Sequence, residues 1–234
     1  MKERLDPESR SARKSAAIME AATAVFLEKG YDGTSMDDVA AKASVSKPTV
    51  YKHFADKEQL FAEIVRATTD QIDELMRFVT ETVADHSDIE TGLMRLARRF
   101  ITALMQPEVL RLRRLVIANA ERFPSVGRSW YEEGFERVLA TLATSFQSLA
   151  ERKLLRMDDA LLAANHFVGL LLWIPVNKAM FTGDHRATPD ELERYAVAAV
   201  RAFLAGYGSS TKPLRKSLQA SSQGRERSSE SPQR

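Results

Sequence analysis

From Ser44 to Phe61 the sequence reads SVSKPTVYKHFADKEQLF, and its side chains suit gripping an anion better than breaking a bond. No acid occurs from Val45 to Ala55, whereas Lys47, Thr49, Tyr51, Lys52 and His53 all carry donors. Donors of this kind hold phosphate oxygens, and a helix N-terminus adds its backbone N–H groups to them. Lys47 and Lys52 are the long cations here, so either can read a guanine edge, while Thr49 or Pro48 can touch a thymine methyl. Ser46 can cap the segment, and Pro48 sits in its first turn, where a missing N–H does no harm. A helix that stops by Phe54 is too short to stand alone in water, so neighbours have to hold it.

Those neighbours are visible in the pattern upstream. SARKSAAIMEAATAVFLEKG places Ala17, Ile18, Ala21, Ala22, Val25 and Phe26 on one stripe that ends at Gly30, an amphipathic helix with a glycine stop. In GTSMDDVAAKA, Thr34 or Ser35 is the N-cap, and Asp37 and Asp38 fall in the positive first turn of a short helix. The SVS connection joins that helix to the donor-rich one, which is a helix-turn-helix arrangement. At about 100° per residue, Val50 and Phe54 lie about 40° apart and point inward. Pro48, Thr49, Tyr51 and Lys52 then point mainly outward, with Lys47 and His53 at the edge. The following helix begins near Asp56–Lys57, and its stripe runs through Leu60, Phe61, Ile64, Val65, Ile72, Leu75, Val79 and Val83.

Other chemistry is missing. The 234 residues hold no cysteine, which excludes disulfides, thiol catalysis and cysteine-ligated metals. There is no G-x-S-x-G, phosphate-binding loop, dinucleotide glycine pattern or H-E-x-x-H. His53, His86, His166 and His185 are scattered, and the pairs Glu132-Glu133 and Asp158-Asp159 read as caps and solvated faces. An enzyme, a cofactor and a metal site are therefore not expected. The net charge of +2 hides an even division: residues 1–58 carry ten basic and ten acidic side chains. A neutral domain binds DNA when its charges separate by face, as Asp37 and Asp38 do from Lys47, Lys52 and Lys57. MKERLDPESR lacks the apolar core of a signal peptide, and FVGLLLWIPV is about half the length of a membrane span, so a soluble cytoplasmic protein is expected.

Scarce glycine and long Ala-, Leu-, Glu- and Arg-rich stretches predict an all-α chain. IETGLMRLARRFITALM carries one apolar stripe, PEVLRLRRLVIANAERF opens with a first-turn Pro107, and a helix from Pro124 extends toward Leu155. Pro175 predicts a bend in DDALLAANHFVGLLLWIPVNKAMF. Thr188-Pro189-Asp190-Glu191 combines cap, first-turn proline and reciprocal Glu, and the helix it opens closes at Gly206–Gly208.

The stretches FLEKGYDGTSMDDVAAKASVS and TVYKHFADKEQLF closely resemble the DNA-binding domain of TetR-type transcriptional regulators, over residues 12–66. Ser44 stands where many members have glycine. RRLVIANAERFPSVGRSWYEEGFERV resembles, less specifically, the AefR-like C-terminal domain of one branch, whose best-known members respond to small toxic compounds and control efflux. The resemblance implies a helix-turn-helix domain of three helices at 12–66 and a helical effector-binding and dimerisation bundle at 67–207, while composition predicts a flexible basic arm at 1–11 and a disordered Ser-, Arg- and Gln-rich tail at 208–234. It implies that Thr34 or Ser35 binds backbone phosphate, that Lys47, Pro48, Thr49 and Lys52 face the major groove beside Ser46, and that Tyr51, His53 and Lys57 clamp phosphates.

It further implies a homodimer, operator DNA as partner and a small-molecule effector. The apolar face Phe167, Leu170, Leu171 and Ile174, with Tyr195, Ala199 and Phe203, is expected to form the dimer interface. VGLLLW is apolar nearly all round, unlike a monomer's surface helix. Phe100, Leu104, Met105, Leu112, Val116, Phe123, Trp130, Phe135, Phe146 and His166 are the candidate pocket walls, suited to a mostly apolar ligand. Two functions fit: a repressor released from its operator by that ligand, or a DNA-binding adaptor whose C-terminal domain recruits a protein.

Overall fold

The computed structural model describes residues 7–70, 77–78, 88–183 and 186–209. Its helices in chain order are α1 (Pro7–Gly33), α2 (Met36–Lys42), α3 (Lys47–His53), α4 (Lys57–Asp70), α5 (Ile89–Leu104) and α6 (Pro107–Asn119). They continue with α7 (Pro124–Ser129), a π-helical stretch (Trp130–Glu136), α8 (Arg137–Glu151), α9 (Ala160–Thr182) and α10 (Pro189–Tyr207). Among the described residues extended pairing is limited to one antiparallel bridge, Leu155 with Gly208. The all-α expectation holds. The helix begins at Pro7, so residues 7–11 of the expected flexible arm are helical. The stripe positions Ile72, Leu75, Val79 and Val83, and the tail from 210 on, lie outside the described residues.

Local chemistry explains where the helices stop. Gly30, at φ 72°, breaks α1, and the Thr34 hydroxyl then donates to the Gly30 carbonyl at 2.7 Å. Ser35 caps α2 through a reciprocal bond pair with Asp38, and Thr188 caps α10 in the same way with Glu191. Two further stops carry no glycine. After α2 the Val45 N–H reaches the Ala40 carbonyl and the Ser44 N–H reaches Ala41, with Ser44 left-handed at φ 55°. After α8 the Leu154 N–H reaches Leu149 and the Lys153 N–H reaches Ala150, with Lys153 at φ 59°. Both are Schellman closures with an L-residue at the position that favours glycine. Ser44→Gly should therefore stabilise the protein by about 1 kcal/mol in denaturant titration, since the relieved strain exceeds the added chain entropy. An unchanged or lower midpoint would refute this reading of the turn. Helix α9 runs through the buried Pro175 without interruption.

Two hydrophobic cores divide the chain, and the division does not follow the expected boundary at residue 66. The larger joins α5, α8, α9 and α10, with Phe146, Phe167 and Phe203 in ring contact at 5.1 to 5.6 Å. Phe100, Met105 and Phe146 are buried in it, and Leu104 and Phe135 pack against it. The smaller core joins α1 to α4, but Leu112, Val116, Phe123 and Val126 complete it, with Trp130 packed alongside. Four proposed pocket walls, Leu112, Val116, Phe123 and Trp130, thus belong to the core beneath the helix-turn-helix. The amphipathic stripe of α6 did reveal burial, but a stripe does not say against which core.

The dimer expectation needs a similar correction. Phe167, Leu171, Ala199 and Phe203 are buried inside one chain, and Tyr195 is half-buried. Leu170 and Ile174 are exposed, as are Leu162, Trp173 and Phe181 on the same side of α9. Alternate faces of α9 are both apolar, so its length and composition would suit a membrane crossing, yet one face fills the chain's own core. The exposed face of α10 carries Ala198, Ala202, Ala205 and Gly206, flanked by Arg194 and Arg201.

Candidate nucleic-acid interface

Helix α3 is built as its sequence demands. Val50 and Phe54 are buried against α1, α2 and α4, which holds a seven-residue helix that could not persist alone. Pro48, Tyr51 and Lys52 are exposed, and Thr49 and His53 are half-exposed. Lys52 has no hydrogen-bond or ion-pair partner among the described residues, so its ammonium stands toward solvent. The Ser46 hydroxyl pairs with the Thr49 hydroxyl at 2.7 Å and makes no capping bond, contrary to expectation; the Ser46 carbonyl accepts the first backbone bonds of α3.

Acids beside this face are engaged. Asp37 lies 2.9 Å from the Lys47 ammonium, and its carboxylate raises the lysine's pKa above the ordinary value. Asp38 accepts from Lys29, from the Ser35 hydroxyl and from the Ser35 N–H, and these bonds, the lysine's first, hold its carboxyl at about 2. The Ser35 hydroxyl is exposed but spent inside the cap.

Two expected phosphate contacts are corrected. Thr34 is buried, and its hydroxyl serves Gly30, so Ser35 alone of that pair faces outward. The Lys57 ammonium donates to the Tyr31 carbonyl at 2.8 Å and the Thr34 carbonyl at 2.9 Å, and lies 4.4 Å from the Tyr31 ring centroid. It ties the start of α4 to the α1–α2 turn. Lys57→Ala should lower stability by about 2 kcal/mol, because two buried carbonyls lose a charged donor, while the salt slope of DNA binding stays unchanged. A slope reduced by about one with stability intact would restore the phosphate role.

The joint beneath this surface has no local signature in the sequence. Tyr31 stacks on Phe26 and meets Phe123 at 4.6 Å and Phe61 at 5.5 Å. Burial is the main cause that raises the Tyr31 hydroxyl's pKa. Arg122 reaches across from the α6–α7 connection to Asp32 at 2.6 Å and lies over both the Tyr31 and Phe123 rings. Within α6 itself, Arg114 donates to the Ala179 and Met180 carbonyls at the end of α9. A cation placed at a helix C-terminus also complements its dipole.

Of the expected effector walls, Met105 borders a recess shared with Pro175, Lys178, Arg186, Ala187, Glu191 and Tyr195, whose free volume of about 10 Å³ has room for one water. His166 is exposed and bonds to the Tyr207 hydroxyl.

Residues 18–64 match the family described as bacterial regulatory proteins, tetR family, and residues 91–209 match the C-terminal domain of AefR-like transcriptional repressors. A solved TetR-family transcriptional regulator from Mesorhizobium loti is 56% identical, with 85% of this chain and 98% of that one covered and a TM-score of 0.80. The flavonoid-responsive regulator FrrA is 30% identical over 84% of this chain and 98% of its own, with a TM-score of 0.65. Among curated proteins, the transcriptional activator FasR of Mycolicibacterium smegmatis is 33% identical over 69 residues, 30% of this chain. IcaR of Staphylococcus aureus, the negative regulator of the biofilm operon icaADBC, is 34% identical over 59 residues, 25% of this chain. These matches span 32% of each curated relative's length.

Proposed function

We infer the function from membership: this chain belongs to the TetR family of bacterial transcriptional regulators, and α3 is its DNA-binding helix. On this reading the protein is a homodimeric repressor, released from its operator by a small, mostly apolar ligand. The observation that carries the reading is the outward face of α9. Trp173 is 71% exposed and Phe181 87% exposed, beside Leu162, Leu170 and Ile174. His166 and Asn177 interrupt this face, but soluble monomers rarely leave so many large apolar side chains on one helix side in water. Its large side chains complement the small residues on the outward face of α10, so a twofold copy would close a four-helix interface. The dimer would set two α3 helices in successive major grooves, about 34–36 Å apart. Repression is supported by the AefR-like C-terminal match, and an aromatic effector by the resemblance to FrrA.

Release needs a path from the C-terminal bundle to α3. Helix α6 supplies it: Leu110 is in the larger core, while Leu112 and Val116 are in the smaller one. Arg114 holds the end of α9, and the connection after α6 holds Tyr31 and Asp32 through Phe123 and Arg122. A ligand that shifts α6 would turn the helix-turn-helix, with α4 moving alongside.

The test is reciprocity: if a flavone weakens operator binding by some factor, operator DNA weakens flavone binding by the same factor. Flavone affinity equal with and without operator would overturn ligand release. The packed larger core favours a second reading, an adaptor that binds DNA and recruits a protein. Tight operator binding that no compound in an aromatic panel shifts would move the assignment to that reading.

A further inference from the structure

Lys47 and Lys52 lie on one short helix, yet the protein treats them differently. Lys52 points out with no partner among the described residues. Lys47 stands at the edge of α3 and donates to both Asp37 oxygens, at 2.9 and 3.1 Å. Asp37 complements the dipole at the start of α2, but it takes no part in the cap, which Ser35 and Asp38 close, and Lys29 pairs with Asp38. Its carboxylate is 64% exposed at the rim that meets DNA, where a negative charge opposes the phosphates.

We propose that Asp37 is a positioning and specificity-determining residue that acts through Lys47. This rests on α3 being the DNA-reading helix. The carboxylate holds the Lys47 ammonium at the edge of α3, where it can bond a base edge, and keeps it from swinging onto any nearby phosphate. Specificity then comes from that restraint, because an ammonium held by Asp37 gains little from a phosphate and bonds DNA only where a base acceptor lies in its reach. Lys52 supplies sequence-independent grip, and Lys47 supplies discrimination.

The experiment compares operator and scrambled duplexes of equal length across a salt series, for the full chain, Asp37→Asn, Lys47→Gln and the double variant. The asparagine leaves the Ser35–Asp38 cap intact, and circular dichroism checks the fold. Asp37→Asn should tighten scrambled-DNA binding several-fold, steepen its salt slope by about one, and lower the operator-to-scrambled ratio by about tenfold. In the Lys47→Gln background the same change should leave the slope and ratio where Lys47→Gln alone puts them. An unchanged ratio and slope in Asp37→Asn overturns the proposal. So does an equal effect in both backgrounds, which would make Asp37 a simple repulsive charge. If the unsubstituted chain shows no operator preference, the DNA-reading assignment of α3 fails, which is a separate result.

Discussion

Replacing Trp173 by aspartate will yield a folded monomer that no longer occupies a palindromic operator. The indole sits on the exposed side of α9 and belongs to neither core, so its loss removes little from the single chain. A buried Trp contributes a large apolar area to an interface, and a charge in its place would be stranded there unpaired. Sedimentation should report one chain per particle, helicity should persist, and operator affinity should fall about a thousandfold, toward that of non-specific binding. The residues first expected at the interface behave differently. Phe203→Ala should remove about 3–5 kcal/mol from the larger core and reduce the folded fraction without selecting the monomer. Gly169 offers a finer probe, because a Cβ there meets nothing within 4 Å in the single chain. Gly169→Ala should raise monomer helix stability by about 1 kcal/mol yet weaken dimerisation, if a partner's backbone approaches there. A Trp173→Asp protein that remains dimeric would remove the α9 interface from the account.

The second prediction concerns Phe123→Ala, a substitution outside the helix-turn-helix that should chiefly weaken it. The ring is buried and meets Tyr31 at 4.6 Å and Phe61 at 6.4 Å, with the Arg122 guanidinium over it. Truncation should cost about 3–5 kcal/mol, taken from the smaller core. Scanning calorimetry should then split into two transitions, with α1 to α4 melting first and the larger core near its original temperature. Operator affinity should fall as the orientation of α3 loosens, and any ligand response should be blunted, since Phe123 is a link between α6 and Tyr31. Phe123→Leu should recover most of the stability. A single transition at the unsubstituted temperature would show that the two cores do not meet through this ring.

Much of the DNA-binding unit was legible because its signals are local. Gly30, the first-turn Asp37 and Asp38, Pro48, and the inward pair Val50 and Phe54 act within one or two turns of their own position. The Thr188 cap did likewise for α10. Ser44 and Lys153 were opaque, because a Schellman closure without glycine leaves no residue signature. Helix α9 was opaque for another reason: apolar on every side, it gives no periodic signal to distinguish the face toward its own core from the face left outside. Of the residues expected at the interface, Phe167, Leu171, Ala199 and Phe203 are buried and Tyr195 is half-buried, while Leu170 and Ile174 stand exposed beside Trp173 and Phe181. Leu112 and Val116, expected as pocket walls, show the same stripe whichever core they join, and they join the smaller one. Lys57, Arg122 and Asp37 each depend on partners at least ten residues away in sequence, Lys57 on two carbonyls and the others on acids or amines. No reading of neighbours would find those pairings.

The most direct measurement is a titration of the purified protein against the DNA flanking its own gene, with footprinting and stoichiometry from mass. The expected result is a protected palindrome occupied by two copies, with half-sites one helical turn or a multiple of it apart, and protection lost in Lys52→Gln at raised salt. Binding by single copies, or binding that tracks salt alone with no preferred sequence, would contradict a dimer that reads its operator through α3.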